Sequence, residues 1–326
     1  MQRADLIEQV RATMARAGFA VSERCDLRPV SFDLVARRDK DLLILKVLTN
    51  VDALSEPIAD EMKVLCKFLD ARPLMVGLRA GTGMLEPGVV YARHAIPIVT
   101  PDTLEQYILH GDAPVVFAAP GGFYVNMDSR ALREARERLS LSLGVVAQIA
   151  GVSRRAIQMY EEGMSASIDA AMRLEEFLQS ELIRPFDPFH AFDPATFEPP
   201  KPQAEASGDP VEALILRLLQ GLGYEVRSTR RAPFNALSTQ DKTTFLTGMG
   251  EDSPQLRRRA RVVTSVSRIT ERPGFFVVER TSHTALEGMP VVTRQELDRL
   301  KDPEKILALI LARQVRESQH DDSSLV

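Results

Sequence analysis

The sequence predicts a multidomain protein in which two α/β units flank an all-α segment. Three observations support this fold class. The chain has 326 residues, whereas one domain typically contains about 100 to 150. A proline-rich stretch interrupts it, and the sequence on either side repeats one order of predicted elements. Hydrophobic residues make up 44% of the chain, so each part has material for a core.

The repeat begins with an amphipathic helix that ends at "AGFAV" in the first unit and at "LGYEV" in the second. The strand-like stretches "VSFDLVA" and "LLILKVL" then correspond to "APFNALS" and "TTFLTGM". After a further helix, "RPLMVGL" corresponds to "RPGFFVV", and each unit closes with a strand, a threonine cap and a helix. Helices that alternate with short apolar strands predict a mixed, mostly buried sheet in each unit. The alternative is two unrelated α/β domains with generic patterns.

Prolines mark the clearest boundary. Residues 183–210 contain seven prolines, which preclude a helix or a central strand, and four phenylalanines. We expect the first half of this linker to lie on a neighbouring domain and the second half to be mobile. The predicted organisation is an α/β domain at 1–127, an all-helical domain at 128–182, the linker at 183–210, a second α/β domain at 211–316 and a disordered tail at 317–326.

Composition and the absence of common motifs exclude several classes. The formal charge of −4 argues against a uniformly basic surface but allows a local basic patch. Cys25 and Cys66 stand far apart, and the five histidines are scattered, so we expect no disulfide framework, no metal and no cofactor. No apolar run of 18 residues or signal-peptide core is present, which predicts a cytoplasmic protein without a membrane segment. GxxxxGK[ST] and GxSxG are also absent.

Residues 132–163 predict two helices joined by a tight turn. Gly151 is suited to end the first helix, and Ser153 to cap the second. The first helix has an apolar stripe made of Leu141, Val145, Val146 and Ile149. On the second helix, Ala156, Ile157 and Tyr160 are predicted to pack, and the exposed arc carries Arg154, Arg155, Gln158 and Met159.

This stretch resembles the helix-turn-helix of the Cro and phage-repressor type. The matching positions are Leu141, Ser142, Val146, Ala147, Gly151, Val152, Ser153, Ile157, Glu161 and Gly163. The resemblance implies that residues 153–162 lie in the major groove of DNA. Arginine can pair with guanine, glutamine with adenine, and methionine can touch a thymine methyl group. The residues expected to face the bases are therefore Arg154, Arg155, Gln158 and Met159.

The match departs from the family at the start of the first helix, where Leu143 replaces a glutamine that contacts a phosphate. We expect other groups to supply phosphate contacts, namely the second helix's N-terminus at Ser153 with Arg130, Arg133 and Arg136. Residues 129–163 carry six arginines and four glutamates, a net charge of +2. The alternative is a helical pair used for packing or dimerisation, with the arginines as a solvated face.

The first α/β unit resembles the archaeal Holliday-junction resolvases and the wider PD-(D/E)xK nuclease fold. The family's aspartate falls on Asp33 and its lysine on Lys46, but its second acid falls on Ile44, which cannot bind a metal. In such nucleases two carboxylates hold Mg²⁺. In the second unit we align Asn235, Phe245 and Thr247 with these three positions. The resemblance therefore implies two degenerate nuclease-like folds with Asp33 and Lys46 as remnants and no catalytic residues.

Two alternatives concern these remnants. An acid from elsewhere could complete a site around Asp33, with Glu8, Glu23 and Asp26 as candidates. Lys46 could instead be a strand-end lysine that reaches water over the apolar run, a role compatible with its being a remnant.

The order of these parts resembles a family of archaeal transcriptional regulators with a resolvase-like N-terminal domain. The resemblance implies a sequence-specific regulator that binds double-stranded DNA, with non-catalytic α/β units used for dimerisation or sensing. A homodimer is expected, because a single helix-turn-helix reaches few base pairs. No residue cluster identifies an effector. Two alternatives come from other classes: a Mg²⁺-dependent repair or junction nuclease, and a scaffold whose helix-turn-helix binds a protein.

Overall fold

The computed structural model describes residues 2–26, 30–81, 83–200, 210–240, 243–300 and 305–313. The predicted tail at 317–326 and linker residues 201–209 lie outside these ranges. The elements before residue 128 are α1 (Arg3–Arg16), β1 (Ala20–Val21), β2 (Leu34–Arg38), β3 (Asp41–Asn50), α2 (Glu56–Leu69), β4 (Arg72–Ala80), β5 (Gly83–Met84), β6 (Val89–Arg93), β7 (Ile96–Val99), α3 (Pro101–Glu105), a π-helical turn (Gln106–His110), β8 (Val116–Ala119) and β9 (Gly122–Met127).

The helix-turn-helix region and the C-terminal half come next along the chain. The elements are α4 (Ser129–Arg138), α5 (Leu143–Ala150), α6 (Arg154–Glu161), β10 (Ala166–Ser167), α7 (Ile168–Leu178), β11 (Ile183–Arg184), α8 (Pro210–Gly221), β12 (Glu225–Ser228), β13 (Ala236–Gln240), β14 (Thr243–Met249), α9 (Pro254–Thr270), β15 (Gly274–Val278), β16 (Ala285–Leu286), β17 (Met289–Thr293), α10 (Arg294–Arg299) and a helix at 305–313. Within the described ranges, no helix is both long and apolar enough to cross a membrane.

The chain divides into two compact units. The first contains Met1–Ala17, Val47–Leu54 and Leu74–Phe192, and the second contains Gly18–Lys46, Ser55–Pro73 and Asp193–Val326. This division differs from the predicted one, which treats residues 1–127 as a single domain. The physical reason is that the segments at 18–46 and 55–73 make extensive contacts with the C-terminal half inside the second unit.

The first unit joins its sheet to the helix-turn-helix region. Strand β4 pairs in parallel with β7, β7 pairs antiparallel with β6, and β6 pairs in parallel with β8. The β8–β9 hairpin then pairs through β9 with both β10 and β11. The segment at 128–182 is therefore not purely helical as predicted, because β10 satisfies backbone groups of β9. Val125 and Met127 of β9 belong to the same apolar core as the helices.

The first half of the linker packs within this unit, as predicted. Phe186 donates its backbone N–H to the Pro114 carbonyl oxygen at 2.7 Å. Phe189 and Phe192 are buried, and the Phe189 ring meets the Tyr107 ring edge-on, with 5.0 Å between centroids. The aromatic content of the linker is thus explained by burial.

The second unit contains two antiparallel meanders of the same register. We call β1–β2–β3 the N-terminal meander and β12–β13–β14 the C-terminal meander. Val21 lies opposite Ala36 in the first, and Val226 lies opposite Ser238 in the second. The C-terminal sheet continues from β14 through β15 and β17, both added in parallel, to the antiparallel β16. This confirms the predicted mixed sheet in the C-terminal half.

Each meander is contacted by the helix that follows the other. Helix α9 packs on β2, where the Arg37 guanidinium lies 2.5 Å from the Glu271 carboxylate, and the Glu23 N–H donates to the Ser265 hydroxyl at 2.8 Å. Conversely, the Phe68 carbonyl at the end of α2 accepts from the Thr244 hydroxyl at 3.4 Å. Reciprocal contacts of this kind are typical of an interface between two copies of one fold.

Candidate nucleic-acid interface and a buried Asp–Lys pair

Local capping interactions fix the geometry of the helix-turn-helix. The Ser142 hydroxyl accepts the Val145 N–H and begins α5, and Gly151 ends it in the left-handed conformation at φ 70°. The Ser153 hydroxyl then accepts the Ala156 N–H and begins α6. Because a residue with φ near 70° is strained unless it is glycine, Gly151 fixes the turn. The predicted end of the first helix at Gly151 and the predicted start of the second at Ser153 are confirmed, but residues 132–138 belong to a separate helix, α4.

The apolar stripe on α5 is only partly as predicted. Val146, Ala147 and Ala150 are fully buried in the core. Val145, which we placed in the stripe, is 42% exposed, and Leu141, also placed there, lies before α5, which begins at Leu143. With eight residues, α5 has a narrow buried face, and Val145 lies one position outside it.

On α6, the predicted packing and exposed faces are separated. Ile157 and Tyr160 are buried, whereas Arg154, Arg155 and Gln158 are exposed. The Gln158 amide donates to the Glu162 carboxylate at 3.0 Å, one helical turn later. The predicted outward face thus presents two cations and an amide.

Met159 departs from this pattern, because it is half-buried rather than fully outward. Its backbone carbonyl accepts the Met164 N–H at 2.8 Å, where the chain turns back after α6. Its side chain therefore lies at the edge of the exposed face.

The two arginines at the start of α6 differ in their surroundings. A Cβ atom built on Gly144 would lie 2.8 Å from Nε and 3.2 Å from Cζ of Arg154. The Arg154 guanidinium therefore lies against the backbone of the first turn of α5. In the described part of the chain, Arg155 forms neither a side-chain hydrogen bond nor an ion pair.

Glu161 ties α6 to α4 through two arginines that we expected to contact phosphates. Its carboxylate accepts Arg136 Nε at 2.6 Å and Nη2 at 3.1 Å, and lies 3.6 Å from Arg133 Nε. Arg133 also donates to the Glu161 backbone carbonyl at 3.2 Å. We expected Arg133 and Arg136 to contact phosphates; in the structure the Arg136 side chain is mostly buried against Glu161, whereas that of Arg133 is half-exposed beside it. The forked pair of Arg136 with the carboxylate is strong and directional, so it joins α4 to α6.

Arg130 remains on the surface. Its side chain is 88% exposed and pairs with Glu134 one turn later at 2.7 Å. Exposed pairs of this type contribute little to stability, and a phosphate can displace the acid.

The remnant residues of the resolvase-like pattern form a buried pair. Asp33 and Lys46 are 0% and 4% exposed, and Lys46 Nζ lies 3.9 Å from Asp33 Oδ2. The same ammonium donates to the Val30 carbonyl at 2.6 Å. The alternative in which Lys46 reaches water at a strand end is therefore wrong: the lysine points inward because a carboxylate and a carbonyl receive it.

The neighbourhood of this pair does not fit a magnesium ion. Ile44, at the position of the second acid, is fully buried in β3. Glu23 and Asp26 are exposed, and Glu8 pairs with Arg11 on α1. Across the residues that the structure describes, no three His, Cys, Asp or Glu side chains are gathered in a way that could hold a metal. Mg²⁺ requires oxygen ligands, and Asp33 is the only acid at the expected positions.

The C-terminal meander corrects our alignment of the second unit. Asp33 donates its N–H to the Leu45 carbonyl, and Asn235 donates to the Thr247 carbonyl, both at 2.8 Å. Asn235 is thus equivalent to Asp33, as predicted, but Thr247 is equivalent to Leu45. The counterparts of Ile44 and Lys46 are therefore Leu246 and Gly248, one residue from the predicted Phe245 and Thr247.

An aromatic ring fills the position of the lysine. A Cβ atom on Gly248 would lie 2.2 Å from the ring of Phe276 on β15. No side chain fits there unless the ring moves, so the glycine is required for packing.

A different residue supplies the cation in this meander. Arg259 of α9 donates to the Pro233 carbonyl at 3.1 Å and to the Met249 carbonyl at 3.2 Å, and its Nη2 contacts the Asn235 side-chain oxygen. Burial lowers the pKa of the Arg259 guanidinium below its ordinary value. Sequence reasoning missed this residue, because Arg259 stands within "RRRAR", where helical spacing alone does not show which arginine turns inward.

A loop of the C-terminal half holds the chain just before Asp33. The Ser31 N–H and hydroxyl both donate to the Arg231 carbonyl, at 2.7 and 3.0 Å. The Glu61 carboxylate of α2 in turn accepts the backbone N–H groups of Arg231 at 2.7 Å and Arg230 at 3.2 Å. Burial raises the pKa of Glu61, against the effect of these hydrogen bonds. The segment next to Asp33 is thus covered by protein.

Comparison with known families now defines the class of protein. Residues 3–114 match the PD-(D/E)XK superfamily domain, and residues 132–183 match a helix-turn-helix domain. No solved structure matches the chain.

Relatives extend over nearly the whole sequence. A protein of Methanococcoides burtonii named "Putative HTH-type transcriptional regulatory protein" is 41% identical over 320 residues, covering 96% of this chain and 98% of its own. Relatives of the same description in Natronomonas pharaonis and Halobacterium salinarum are 39% and 40% identical over 315 residues, with 96% of this chain and 99% and 98% of theirs covered. The chain belongs to this family of archaeal HTH-type transcriptional regulatory proteins.

Proposed function

We propose that the protein is a sequence-specific DNA-binding regulator of transcription that inserts α6 into the major groove. The observation that carries this proposal is the division of α6 into a buried face, with Ile157 and Tyr160, and an exposed face with Arg154, Arg155 and Gln158. In a helix-turn-helix, residues near the start of the second helix contact base edges. Arginine and glutamine have the donors that read guanine and adenine.

The remaining predicted DNA-binding residues are proposed to contact phosphates or the edge of a base. Ser153 begins α6, where its backbone N–H groups face an approaching phosphate. Arg130, exposed on α4, is a further phosphate contact, and Met159 touches a base methyl group from the edge of the exposed face. Arg133, half-exposed beside Glu161, is a further proposed phosphate contact.

Selection of bound sites from random duplex DNA tests the proposal. Enrichment of one motif, followed by its tight binding in fluorescence anisotropy, is the expected result. Arg155→Ala should then weaken binding to the selected site by about 1 to 3 kcal/mol, the discrimination of one base contact. Arg258→Ala, an exposed arginine of α9, is the matched control and should bind as wild type. If wild type binds no duplex at low salt, the proposal fails and a protein-binding role for the helix-turn-helix gains support.

We further propose that the protein acts as a homodimer and that its nuclease-like parts, at 1–127 and 211–316, are non-catalytic. A dimer places two α6 helices on half-sites about 34 Å apart, so the selected motif should be a pseudo-palindrome of about ten base pairs between centres. Light scattering on the full chain checks the mass against 36.2 kDa for one copy. A monomer that stays monomeric on its selected site contradicts this part.

A nuclease remains the second candidate, because Asp33 and Lys46 still lie side by side. Against it stand the buried Ile44 and the covering of Ser31 by the Arg231 loop. A cleavage assay on linear and branched DNA with Mg²⁺ separates the two. We expect no cleavage; cutting that Asp33→Ala abolishes would establish the nuclease.

A further inference from the structure

Arg154 and Arg155 are adjacent and both exposed, but the structure gives them different positions. The Arg154 guanidinium lies against the first turn of α5, with Nη2 3.0 Å from the place of a Cβ on Gly144. In the described structure, neither arginine forms an ion pair. Both cations are therefore available to a ligand, but Arg154 points back towards the preceding helix.

Gly144 is an unfavourable residue for its position in a helix, so its presence needs a structural reason. It lies in the first turn of α5, which has only eight residues, and glycine is among the poorest helix formers. A Cβ atom at this position would lie within 3.2 Å of three atoms at the end of the Arg154 side chain, so a larger residue would displace the guanidinium from this place. The close approach of this guanidinium is therefore the feature that glycine permits.

We propose that Arg154 contacts a backbone phosphate rather than a base, and that Gly144 positions it. The proposal rests on the DNA-binding function above and divides its residues into two groups. In a helix-turn-helix the first helix crosses the sugar–phosphate backbone while the second enters the groove. A guanidinium held on the first helix lies where phosphates pass.

The proposed phosphate contact of Arg154 would replace one that Leu143 cannot make. Leu143, the first residue of α5, has an apolar side chain that cannot donate to a phosphate. Arg154 supplies guanidinium donors beside Leu143, because its side chain reaches the backbone of the next residue, Gly144. Sequence reading is left to Arg155 and Gln158, whose side chains project from α6.

Salt dependence distinguishes the two roles. Each phosphate contact adds about 0.9 to the slope of log K against log salt, and its loss weakens all DNA sequences alike. Binding is measured for full-length wild type, Arg154→Ala, Arg155→Ala and Gly144→Ala, on the selected site and on a scrambled duplex, at several salt concentrations. We expect Arg154→Ala to lower the slope by about one and to weaken both duplexes by similar factors. Arg155→Ala should weaken the selected site far more than the scrambled duplex.

Gly144 is tested as a positioning residue. Gly144→Ala should reproduce the loss of slope without lowering the melting temperature, since alanine favours a helix. The double variant Gly144→Ala/Arg154→Ala should bind no worse than Arg154→Ala, because both changes remove one contact. Arg154→Lys, which keeps the charge, should recover much of the slope.

Several outcomes overturn the proposal. A loss confined to the selected site in Arg154→Ala, with an unchanged slope, would make Arg154 a base-reading residue. Wild-type binding by Gly144→Ala would show that the glycine does not position it. The proposed function itself would fail differently, through the absence of DNA binding by wild type, and that result would remove this inference as well.

Discussion

The N-terminal and C-terminal meanders share a strand register but bury different chemistry at the same place. In the N-terminal meander the Lys46 ammonium lies beside the Asp33 carboxylate and donates to a backbone carbonyl. In the C-terminal meander the neutral Asn235 occupies the position of Asp33, and Gly248 occupies that of Lys46. The cation there comes from Arg259 on α9. Both meanders therefore contain a cation that donates to the backbone, the buried Lys46 to one carbonyl group and the half-buried Arg259 to two.

This difference separates a structural role from a catalytic one. In each meander a buried carbonyl group lies just before the second strand, that of Val30 or Pro233, and needs a donor whether or not a nuclease site is present. A lysine on a strand or an arginine on a helix can meet that need. We infer that Lys46 has a structural role in the N-terminal meander as the donor to this carbonyl group. It does not need the second nuclease acid for that role, and Ile44 occupies the position of that acid.

Removing the lysine is the strongest way to test this view. Lys46→Met should lower the free energy of unfolding by about 3 kcal/mol, the lower end of the effect of breaking a buried ion pair. The loss follows because the Asp33 carboxylate keeps its burial but loses its neighbouring cation. Urea unfolding followed by circular dichroism measures it.

The C-terminal meander, which has asparagine at the position of Asp33, suggests a second substitution that should restore the stability lost in Lys46→Met. Lys46→Met/Asp33→Asn, which copies the neutral acid position, should recover much of the lost stability. If Lys46→Met alone changes stability by less than about 0.5 kcal/mol, as at an ordinary surface site, Lys46 has no structural role.

The second prediction concerns the glycine that replaced the lysine. Gly248→Ala should cost about 1 to 3 kcal/mol, because its methyl group would overlap the Phe276 ring at 2.2 Å. Gly248→Ala should cost less in a Phe276→Val background than in wild type, because the smaller side chain makes room. Gly221→Ala, at the end of α8 with open space around it, is the matched control and should not destabilise. An equal effect of both glycine changes would show that backbone freedom, not the ring, is what matters.

Arg259 should matter less than Lys46. Arg259→Met removes donors from two carbonyl groups, worth about 1 to 3 kcal/mol for unsatisfied buried groups. Part of that is offset, because burying the guanidinium lowers its pKa and is itself unfavourable. The side-chain oxygen of Asn235 also keeps the Met249 N–H as a donor. Unfolding of Arg259→Met is compared with that of the exposed Arg258→Met, and equal stability would contradict a structural role for the buried arginine.

How much of this could be predicted from sequence depends on the kind of signal. Helix ends marked by Ser142, Gly151 and Ser153 were predictable, because capping is local chemistry. The equivalence of Asn235 and Asp33 was also predictable from the repeated strand pattern. The lysine position was misplaced by one residue, because polar and apolar residues do not alternate in "TTFLTGM" and the register cannot be read from it.

Long-range pairs were beyond sequence reasoning. Nothing in the spacing shows that Glu161 binds Arg133 and Arg136, since α6 and α4 are separated in sequence by the whole of α5. The inward turn of Arg259 and the contact of Arg231 with Glu61 depend likewise on tertiary packing. Such packing decides which of many similar arginines are free, and therefore which can bind DNA.

The smallest expected effect lies where the two meanders meet, at Glu61. Burial raises the pKa of this carboxyl above its ordinary value of 4.5, so the folded chain binds the proton more tightly than the unfolded chain does. Its contribution to stability is thus fully present below pH 4.5 and is lost as the pH rises through the folded pKa. Glu61→Gln cannot titrate, so the stability of wild type minus that of Glu61→Gln should fall over this window and become constant above it. The measurement is urea unfolding of both proteins at a series of pH values. A difference that rises with pH would mean that the N–H groups of Arg230 and Arg231 outweigh burial, and the loop would then be held by a carboxylate that prefers to be ionised.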